Sequence, residues 1–433
     1  MNSLPPATWR KNNKCQTLLI AAWFAANGGY ALAQEEHPDA ASLISNANLS
    51  GSLRGSFWSI SNNPSGNNDI GIAEMWLKAA PRIDQEATLA LEGWVRDTDV
   101  AHTGKTESVL REGYVSYSKG DADFRIGKQI IVWGRADQLN PTDNLTPRDN
   151  TLWMADSDDQ RLGAWALKSI YNFSTVAVTG IWLPRFRPNT VAISPVAGTV
   201  FSENIPTGDQ FALKLDQSGM AVDWSLSYFN GFDLNPDIAI QSALPNALNL
   251  SLQHHRIRVL GADGATVVGR YGLRAEAAYT WTENATGMDP FVKMPFFYGV
   301  VGADRTFFDY LNINAQYFVR NIHSFSDPNS ITDPLTREVA IQQSIISNQQ
   351  DRFQHGMSLR IGNKWLNETL EAEFAAVYSF TRRDYLLRPK LGYAFDDHWK
   401  GTLGANLFRG DPNTYFGMLH YLSTVYGELR YSF

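Results

Sequence analysis

Short segments in which apolar and polar residues alternate recur along most of the chain. Between 86 and 97, for example, Leu89 and Leu91 fall on one face of an extended chain, and Glu92 and Trp94 fall on the other. Successive side chains of a strand point to opposite faces, so each segment has one apolar and one polar face. We predict eighteen strands, near 49–59, 70–80, 86–97, 108–118, 122–132, 161–172, 174–184, 208–216, 220–230, 253–268, 273–282, 294–302, 306–321, 353–362, 367–380, 384–395, 399–408 and 420–433.

The connections between these strands alternate in length. Every second connection is tight, as at 119–122 and 269–271, whereas most of the others are long, as at 133–160 and 231–252. Outer-membrane barrels have short periplasmic turns and long outer loops, and an even strand number returns both termini to one side. The pattern therefore predicts an all-β fold: a transmembrane antiparallel up-and-down β-barrel of about 18 strands, with about 16 as the alternative count.

The start of the chain has the features of an export signal. A cationic segment at 10–14 precedes an apolar stretch at 18–26, and Ala31 and Ala33 supply small residues just before Gln34. This order is typical of a secretory signal peptide with cleavage before Gln34. The alternative is a buried N-terminal helix of a cytoplasmic protein.

The end of the chain also indicates a barrel. In the last predicted strand, Leu429, Tyr431 and Phe433 share one face. A terminal aromatic on such a strand resembles the segment that the barrel-assembly machinery recognises, so we expect that machinery as a partner through the Phe433 strand. The predicted organisation is a signal peptide at 1–33, a short periplasmic lead at 34–48 and an outer-membrane barrel at 49–433.

Composition excludes several classes of function. Without the predicted signal peptide, 34 Lys and Arg (37 minus three) face 44 Asp and Glu, a formal charge of −10. Nucleic acid is therefore not expected as a partner, because its phosphates need a basic surface. The single cysteine, Cys15, lies in the predicted signal peptide, so neither disulfides nor thiol chemistry are expected in the mature chain. No cofactor and no metal ion are expected.

Alternation assigns charged residues to the inner face of the barrel. The basic members are Lys78, Arg96, Lys214, Arg274, Arg360, Arg388, Lys390, Lys400 and Arg430. The acidic members are Glu74, Glu92, Glu112, Asp216, Asp223, Glu276, Glu371, Glu373 and Glu428. One interpretation is that these charges pair across neighbouring strands, and the other is that some line a wet conduit and select solutes. Because the signs nearly balance, we expect no strong preference of the wall for anions or cations.

Two tryptophans, Trp76 and Trp94, fall on the same inner face between these charges. Aromatic rings flanked by charges suit sugars or aromatic acids better than bare ions. The alternative is that both belong to the aromatic girdle at the rim of the barrel.

The third outer loop, 133–160, is the best candidate for a constriction. It is long and rich in turn-forming and charged residues, and loops of this length are usually functional or disordered. We predict that it folds into the barrel and narrows it, with Arg135, Asp137, Asp143 and Arg148 at the constriction. The alternative is that its Asn-Pro and Thr-Pro pairs merely build turns around a structural tryptophan.

The same region carries a family resemblance. Gly127-Lys128-Gln129, followed by Trp133-Gly134 and then by Leu139-Asn140-Pro141-x-Asp143, resembles a signature of poorly characterised proteobacterial outer-membrane β-barrels. The resemblance covers about 20 residues of motif, and Lys128 departs from the commoner Arg. It implies a porin-like barrel and agrees with the loop assignment. Members of that family are thought to move hydrophobic or polyanionic compounds.

The sequence therefore predicts a channel in the outer membrane of a Gram-negative bacterium, through which small solutes pass and which the third outer loop narrows. The alternative is a substrate-specific transporter of hydrophobic or polyanionic compounds. A barrel enzyme ranks below both, because no Gly-x-Ser-x-Gly or His-Glu-x-x-His motif occurs. Outer-membrane lipids, lipopolysaccharide and small-molecule solutes are the expected partners, with a homo-oligomer left open. Residues 338–350 form either a short amphipathic helix or a flexible loop.

Overall fold

The computed structural model describes residues 47–62, 67–98, 100, 105–151, 153–191, 198–244 and 247–433. The predicted signal peptide, with its cleavage position, and nearly all of the predicted periplasmic lead lie outside these residues.

Eighteen strands form one closed antiparallel β-barrel, which confirms the predicted fold class. They are β1 (Ser50–Ile60), β2 (Asp69–Ala79), β3 (Ala87–Asp97), β4 (Thr106–Lys119), β5 (Ala122–Gln129), β6 (Ala164–Phe173), β7 (Val176–Leu183), β9 (Gln210–Gln217), β10 (Asp223–Phe232), β13 (Arg256–Val268), β14 (Tyr271–Trp281), β15 (Phe296–Phe307), β16 (Leu311–Ile322), β17 (Phe353–Trp365), β18 (Leu370–Ser379), β19 (Tyr385–Ala394), β20 (Trp399–Arg409) and β21 (Thr424–Ser432).

Smaller elements lie in the connections. Three strands form a separate sheet, namely β8 (Thr199–Asn204), β11 (Asp237–Leu244) and β12 (Ala247–Gln253). The α-helices are α1 (Pro334–Ile346) and α2 (Tyr415–Met418), and short 3-10 helices occur at Ser157–Gln160, Pro328–Ser330 and Leu419–Leu422. None of the helices in the described part of the chain is long and apolar enough to cross a membrane.

The first and last strands close the barrel. β1 pairs with β21 from Ser52 opposite Ser432 to Ile60 opposite Thr424. Phe433 extends this ladder, because its N–H and C=O both bond to Gly51. Closure leaves no free sheet edge, so backbone donors and acceptors along all eighteen strands have partners within the wall.

The two faces of the wall differ as the alternation predicts. On β1, Leu53 and Phe57 are exposed on the outer surface, whereas Arg54 and Trp58 are buried on the inner side. Polar residues are therefore gathered inside, and apolar residues face outwards where lipid would surround the barrel. Short turns join the strands at one end of the barrel, and longer loops join them at the other end, where only the link at 380–384 is short.

The third outer loop is longer than the sequence predicts, because it runs from 130 to 163 rather than from 133 to 160. The ladder of β5 stops at Gln129 since side chains take over the next backbone donors. The N–H of Ile130 donates to Glu112 (2.7 Å), and that of Ile131 donates to the Thr146 hydroxyl (2.9 Å).

Part of the outer-loop region forms its own small core. The sheet of β8, β11 and β12 packs on α1 through Ile238, Leu250 and Val339. The helix begins at Pro334, earlier than the predicted 338, because Asp333 caps it by accepting from the backbone N–H of Thr336 (2.8 Å). The three strands of this sheet were not predicted.

We predict that charge on the outer face is costly in a depth-dependent way. Leu403 lies at the middle of β20 and is 63% exposed, whereas Val425 lies near the loop end of β21 and is 59% exposed. Leu403→Arg should lower the free energy of unfolding in lipid vesicles by about 2–4 kcal/mol, and Val425→Arg by about 0–1 kcal/mol. Equal costs in urea titrations would contradict the assignment of the lipid-facing surface.

Candidate functional site

The third outer loop lies inside the barrel. Its residues bond to inward-facing side chains on strands distributed around the wall, namely β1, β4, β9, β13, β14, β17, β19, β20 and β21. A loop anchored on so many strands crosses the interior of the barrel.

An apolar cluster holds the first part of the loop against the wall. Ile131, Trp133 and Leu145 of the loop are buried together with inward-facing residues of neighbouring strands, including Phe229 and Val259. Trp133 is 5% exposed. This burial agrees with the alternative interpretation of the loop, in which its turns surround a structural tryptophan. Burial of this ring and its neighbours removes apolar surface from water, which stabilises the docked loop.

A single carboxylate on β14 then organises the next turn of the loop. Glu276, 2% exposed, accepts from the backbone N–H groups of Arg135 (3.1 Å), Ala136 (3.1 Å) and Thr142 (2.8 Å), and from the Thr142 hydroxyl (2.8 Å). Gly134 has a φ of +94°, and a Cβ there would clash with the same carboxylate. Charged acceptors strengthen such bonds, so Glu276 is the main polar anchor of the loop.

Beyond this anchor, the loop reaches the far wall. The Arg135 guanidinium pairs with Asp263 on β13 and with Asp216 on β9 (3.2 Å). Asp137 forms an ion pair with Arg360 on β17 (2.9 Å). The loop leaves the wall between the fifth and sixth barrel strands, and β17 is the fourteenth in barrel order, so this ion pair lies nearly opposite the origin of the loop.

Asp143 and Arg148 take a different position. Asp143 pairs with Arg148 (3.4 Å) and Arg161 (2.8 Å), all three within the loop. Of the four predicted constriction residues, Arg135 and Asp137 therefore contact the wall, whereas the other two contribute to the internal structure of the loop.

The last part of the loop spans the seam of the barrel, where β1 and β21 pair and close the wall. Asp159 pairs with Arg54 on β1 (2.5 Å) and with Arg430 on β21 (3.9 Å). These two arginines stand directly opposite each other in the ladder that closes the barrel. Arg430 also pairs with Glu428 (3.0 Å). Without a carboxylate between them, two like charges in this register would repel each other.

A further contact joins the loop to β19 and β20. Arg388 donates to the carbonyl of Met154 (3.0 Å), and Asn406 donates to the carbonyl of Trp153 (3.0 Å). The Trp153 ring packs edge-on against Phe408, with centroids 5.1 Å apart. The predicted lumen residue Arg388 thus serves as a support for the loop.

The inward tryptophans lie in a closed stack of rings and cations. The guanidinium of Arg54 lies 4.4 Å from the ring centroid of Trp76, and that of Arg96 lies 4.2 Å from that of Trp94. Glu74 accepts from the Trp76 indole N–H (2.6 Å) and pairs with Arg96 (3.3 Å). Both rings are 6% exposed, so cations of the protein itself occupy the positions where a solute would stack.

The remaining predicted lumen residues line the half of the barrel near the short turns. Ion pairs between neighbouring strands join Arg274 with Asp304 (3.3 Å), Arg360 with Glu373 (3.9 Å), Lys390 with Glu373 (3.4 Å) and Lys78 with Glu92 (3.7 Å). Lys400 on β20 pairs with Glu371 on β18 (2.5 Å), across β19. Their side chains are partly exposed inside the barrel.

Burial changes the acidity of the loop carboxylates. Burial raises the pKa of Asp137, although the nearby Arg360 and Arg274 oppose the rise. Burial likewise raises the pKa of Asp159 against the opposing effect of Arg54. Both carboxyl groups therefore hold a proton more tightly in the docked loop than in water.

Sequence reasoning missed several anchors of the loop. Arg54 and Asp263 follow the same alternation as their strand neighbours, so the alternation could have identified both as inward-facing. Arg111 could not be found in this way. A β-bulge opposite Glu92 and Gly93 adds it to the inner face beside Glu112, which breaks the period of two. Arg111 then pairs with Glu92 and donates to the carbonyl of Arg161 (2.9 Å).

Comparisons with known proteins bear on the fold. No protein-family model matches the chain, and no curated protein matches it. OccAB3 of Acinetobacter baumannii superimposes with a TM-score of 0.52 at 10% identity, over 90% of this chain and 100% of that chain. OpdK of Pseudomonas aeruginosa, solved with vanillate, gives 0.53 at 9% identity, over 90% and 99%. OccK5 (OpdH) of Pseudomonas aeruginosa gives 0.51 at 8% identity, over 90% and 98%.

The chain has the fold of an outer-membrane β-barrel. At this level of identity the likeness shows the fold alone. The match extends over nearly the whole length of each of these neighbours.

We predict that Glu276→Gln releases the third outer loop. The amide cannot accept all of the bonds that the carboxylate accepts, and bonds to charged groups contribute about 1.5–3 kcal/mol each. Limited proteolysis of the detergent-folded barrel should then cut within the loop, while the parent protein stays protected. Glu373→Gln, a wall carboxylate facing Arg360 and Lys390, is the matched control. Equal protection of Glu276→Gln and the parent would contradict the anchoring role.

We also predict that mild acid does not undock the loop. The pKa values of Asp137 and Asp159 are raised on docking, so the docked form binds protons more tightly and becomes more favourable as pH falls towards them. Hydrogen exchange of the loop amides, corrected for intrinsic rates, should show equal or greater protection at about pH 5 than at about pH 7. Faster corrected exchange at the lower pH is the opposite result.

Proposed function

We propose that the protein is an outer-membrane channel for passive passage of small solutes, narrowed by its third outer loop. The observation that supports this most directly is the course of the loop, which crosses a closed eighteen-stranded barrel to the Asp137–Arg360 ion pair. Barrels of about 16–18 strands leave an aqueous interior that their own wall side chains do not fill. The loop is then the element that sets the width of the path.

The charges near the short turns also support a wet interior. Side chains of Arg360 and Lys400 are 36% and 41% exposed although they point into the barrel. Charged groups retain this exposure only where water reaches them, since burial without water is costly.

We propose no catalytic role for the chain. In the part of the chain that the structure describes, the hydrogen bonds of histidine rings lead to backbone carbonyls, carboxylates, Tyr317 or Arg409 rather than to a serine hydroxyl. An acyl-transfer site needs a nucleophile within hydrogen-bond reach of its base.

Placement in the membrane follows from the outer surface of the wall. Near the loop ends of the strands, Trp165, Trp182 and Trp281 face outwards and are between 41% and 46% exposed. Tryptophan rings at this level are typical of the interface between lipid tails and headgroups. This belt supports contact with the lipids and lipopolysaccharide of the outer leaflet, and the Phe433 strand supports recognition by the assembly machinery.

A second candidate is a transporter with a defined substrate. The folded sheet-and-helix unit of the outer loops favours it, because a non-selective channel does not need an ordered unit among its outer loops. Lys293 of this region pairs with Asp233 (2.6 Å) while buried, and Gln343 of α1 bonds to the buried Asp237. The unit is therefore held by specific polar contacts.

Single-channel conductance of the refolded chain in a planar bilayer tests the proposal. We expect the parent barrel to conduct and a variant lacking residues 137–158 to conduct more, because this deletion removes the part that reaches the far wall. Asp159, which spans the seam, is retained in that variant. Asp396→Asn, in a short turn away from the loop, is the control and should conduct like the parent.

Two other results would speak against the proposal. Equal conductance with and without 137–158 would mean that the loop does not narrow the path. Absence of conductance in both forms, with folding verified by spectroscopy, would favour the substrate-specific transporter.

A further inference from the structure

Cations on the inner wall follow a rule of pairing. Within the described chain, all but two of the inward-facing Lys and Arg side chains of the strands form an ion pair, as Lys214 does with Asp216 (2.9 Å), or donate to a loop carbonyl, as Arg320 does to Asn348 (3.0 Å). The rule is expected, because a charge on a partly buried wall is stabilised by an opposite charge or by a hydrogen bond.

Arg125 on β5 and Lys168 on β6 depart from this rule. Both point into the barrel, and they stand directly opposite each other in the ladder between the two strands. Among the described residues, no carboxylate lies within ion-pair distance of either, and their side chains form no hydrogen bond with the protein. Like charges directly opposite each other destabilise a sheet, so this arrangement has a cost in stability.

The neighbours of the two cations are occupied elsewhere. Asp216 is held by Lys214 and by Arg135 of the loop. Asp123 accepts from Ser118 (2.5 Å) and Asn172 (3.3 Å). The Tyr114 ring flanks Arg125, whose guanidinium carbon lies 5.4 Å from its centroid. Arg125 itself is exposed and Lys168 is half-buried, so both charges are accessible from the interior.

Elsewhere in the same wall, a carboxylate lies between two opposed cations. Arg54 and Arg430 also stand opposite each other in register, and Asp159 of the third outer loop lies between them and contacts both. Lys400 opposite Arg430 has its own carboxylate in Glu371. Opposed cations in this barrel therefore come with a carboxylate, and the Arg125–Lys168 pair is the exception within the described strands.

We infer that Arg125 and Lys168 form a subsite for the carboxylate group of a small organic anion on its way through the barrel. The inference rests on the proposed channel function and gives its substrate class. The planar guanidinium suits a carboxylate with two oxygens, and the ammonium adds a second point charge. Both residues lie near the middle of their strands, so the subsite is at mid-depth in the wall.

The pair also predicts a preference for anions, which the balanced wall charges do not. Paired cations present little net charge to a passing solute, whereas two unpaired cations attract anions and repel small cations. Positively charged groups around a pore favour anions in this way. Selection of the solute is then the reason for the presence of the pair despite its cost in stability.

Reversal potentials in a gradient of potassium propionate test the inference. We expect the parent barrel to prefer propionate over potassium. In Arg125→Gln/Lys168→Gln, the permeability ratio of anion to cation should fall about threefold or more, because both attracting charges are lost. Arg185→Gln/Arg258→Gln removes two exposed cations near the loop ends of β7 and β13, and this control should keep the parent ratio.

The outcomes distinguish failure of the subsite from failure of the proposed channel function. A conducting parent with the same ratio in both double variants would overturn the subsite and leave the channel intact. The same fall in the control as in the test variant would also overturn it, because net charge alone would then explain the effect. A folded parent that does not conduct would contradict the proposed function itself.

Stability gives an independent readout. Lys168→Gln relieves the repulsion with Arg125, so its urea midpoint should lie above that of the parent while its anion preference falls. Lys168→Arg keeps the charge and should retain the preference. A midpoint below that of the parent in Lys168→Gln would mean that the pair has a structural role, and the subsite would be rejected.

Discussion

Backbone hydrogen bonding in a medium without water is the constraint from which the rest of this structure follows. Every N–H and C=O that faces lipid must find a partner in the wall, and a closed sheet provides this without free edges. Closure sends alternate side chains inwards, which gathers the polar residues of eighteen strands around one interior. The third outer loop then meets a wall that already carries carboxylates and guanidinium groups, and it can be irregular because those groups satisfy its backbone.

The barrel could be predicted from the sequence almost completely. Strand period, loop alternation and the terminal Phe433 are local signals, and the wall depends on little else. Errors in the wall occurred where a contact in space, rather than the local pattern, determined the course of the backbone. Glu112 and Thr146 end β5 early, and the bulge beside Glu92 hides Arg111. Such exchanges depend on neighbours in space, which period and composition do not specify.

The candidate site was predicted in part, for the same reason. Asp137 and Arg360 were both candidates, but their pairing across the barrel depends on the path of the loop. Trp76 and Trp94 were predicted to face inwards, yet the covering of the Trp76 ring by Arg54 depends on the register between β1 and β2. Arg125 and Lys168 were overlooked although they fit the alternation, because their significance lies in the partners they lack.

The contact of Asp159 with both edges of the seam has a consequence for biogenesis. Arg54 and Arg430 belong to the strands that come from opposite ends of the chain, and they meet only when the last strand arrives. Sealing of the cylinder thus brings two guanidinium groups together, and the Asp159 carboxylate, on the loop between the fifth and sixth barrel strands, offsets their repulsion. Insertion of the loop and sealing of the cylinder are therefore thermodynamically coupled, because each is more favourable once the other has occurred.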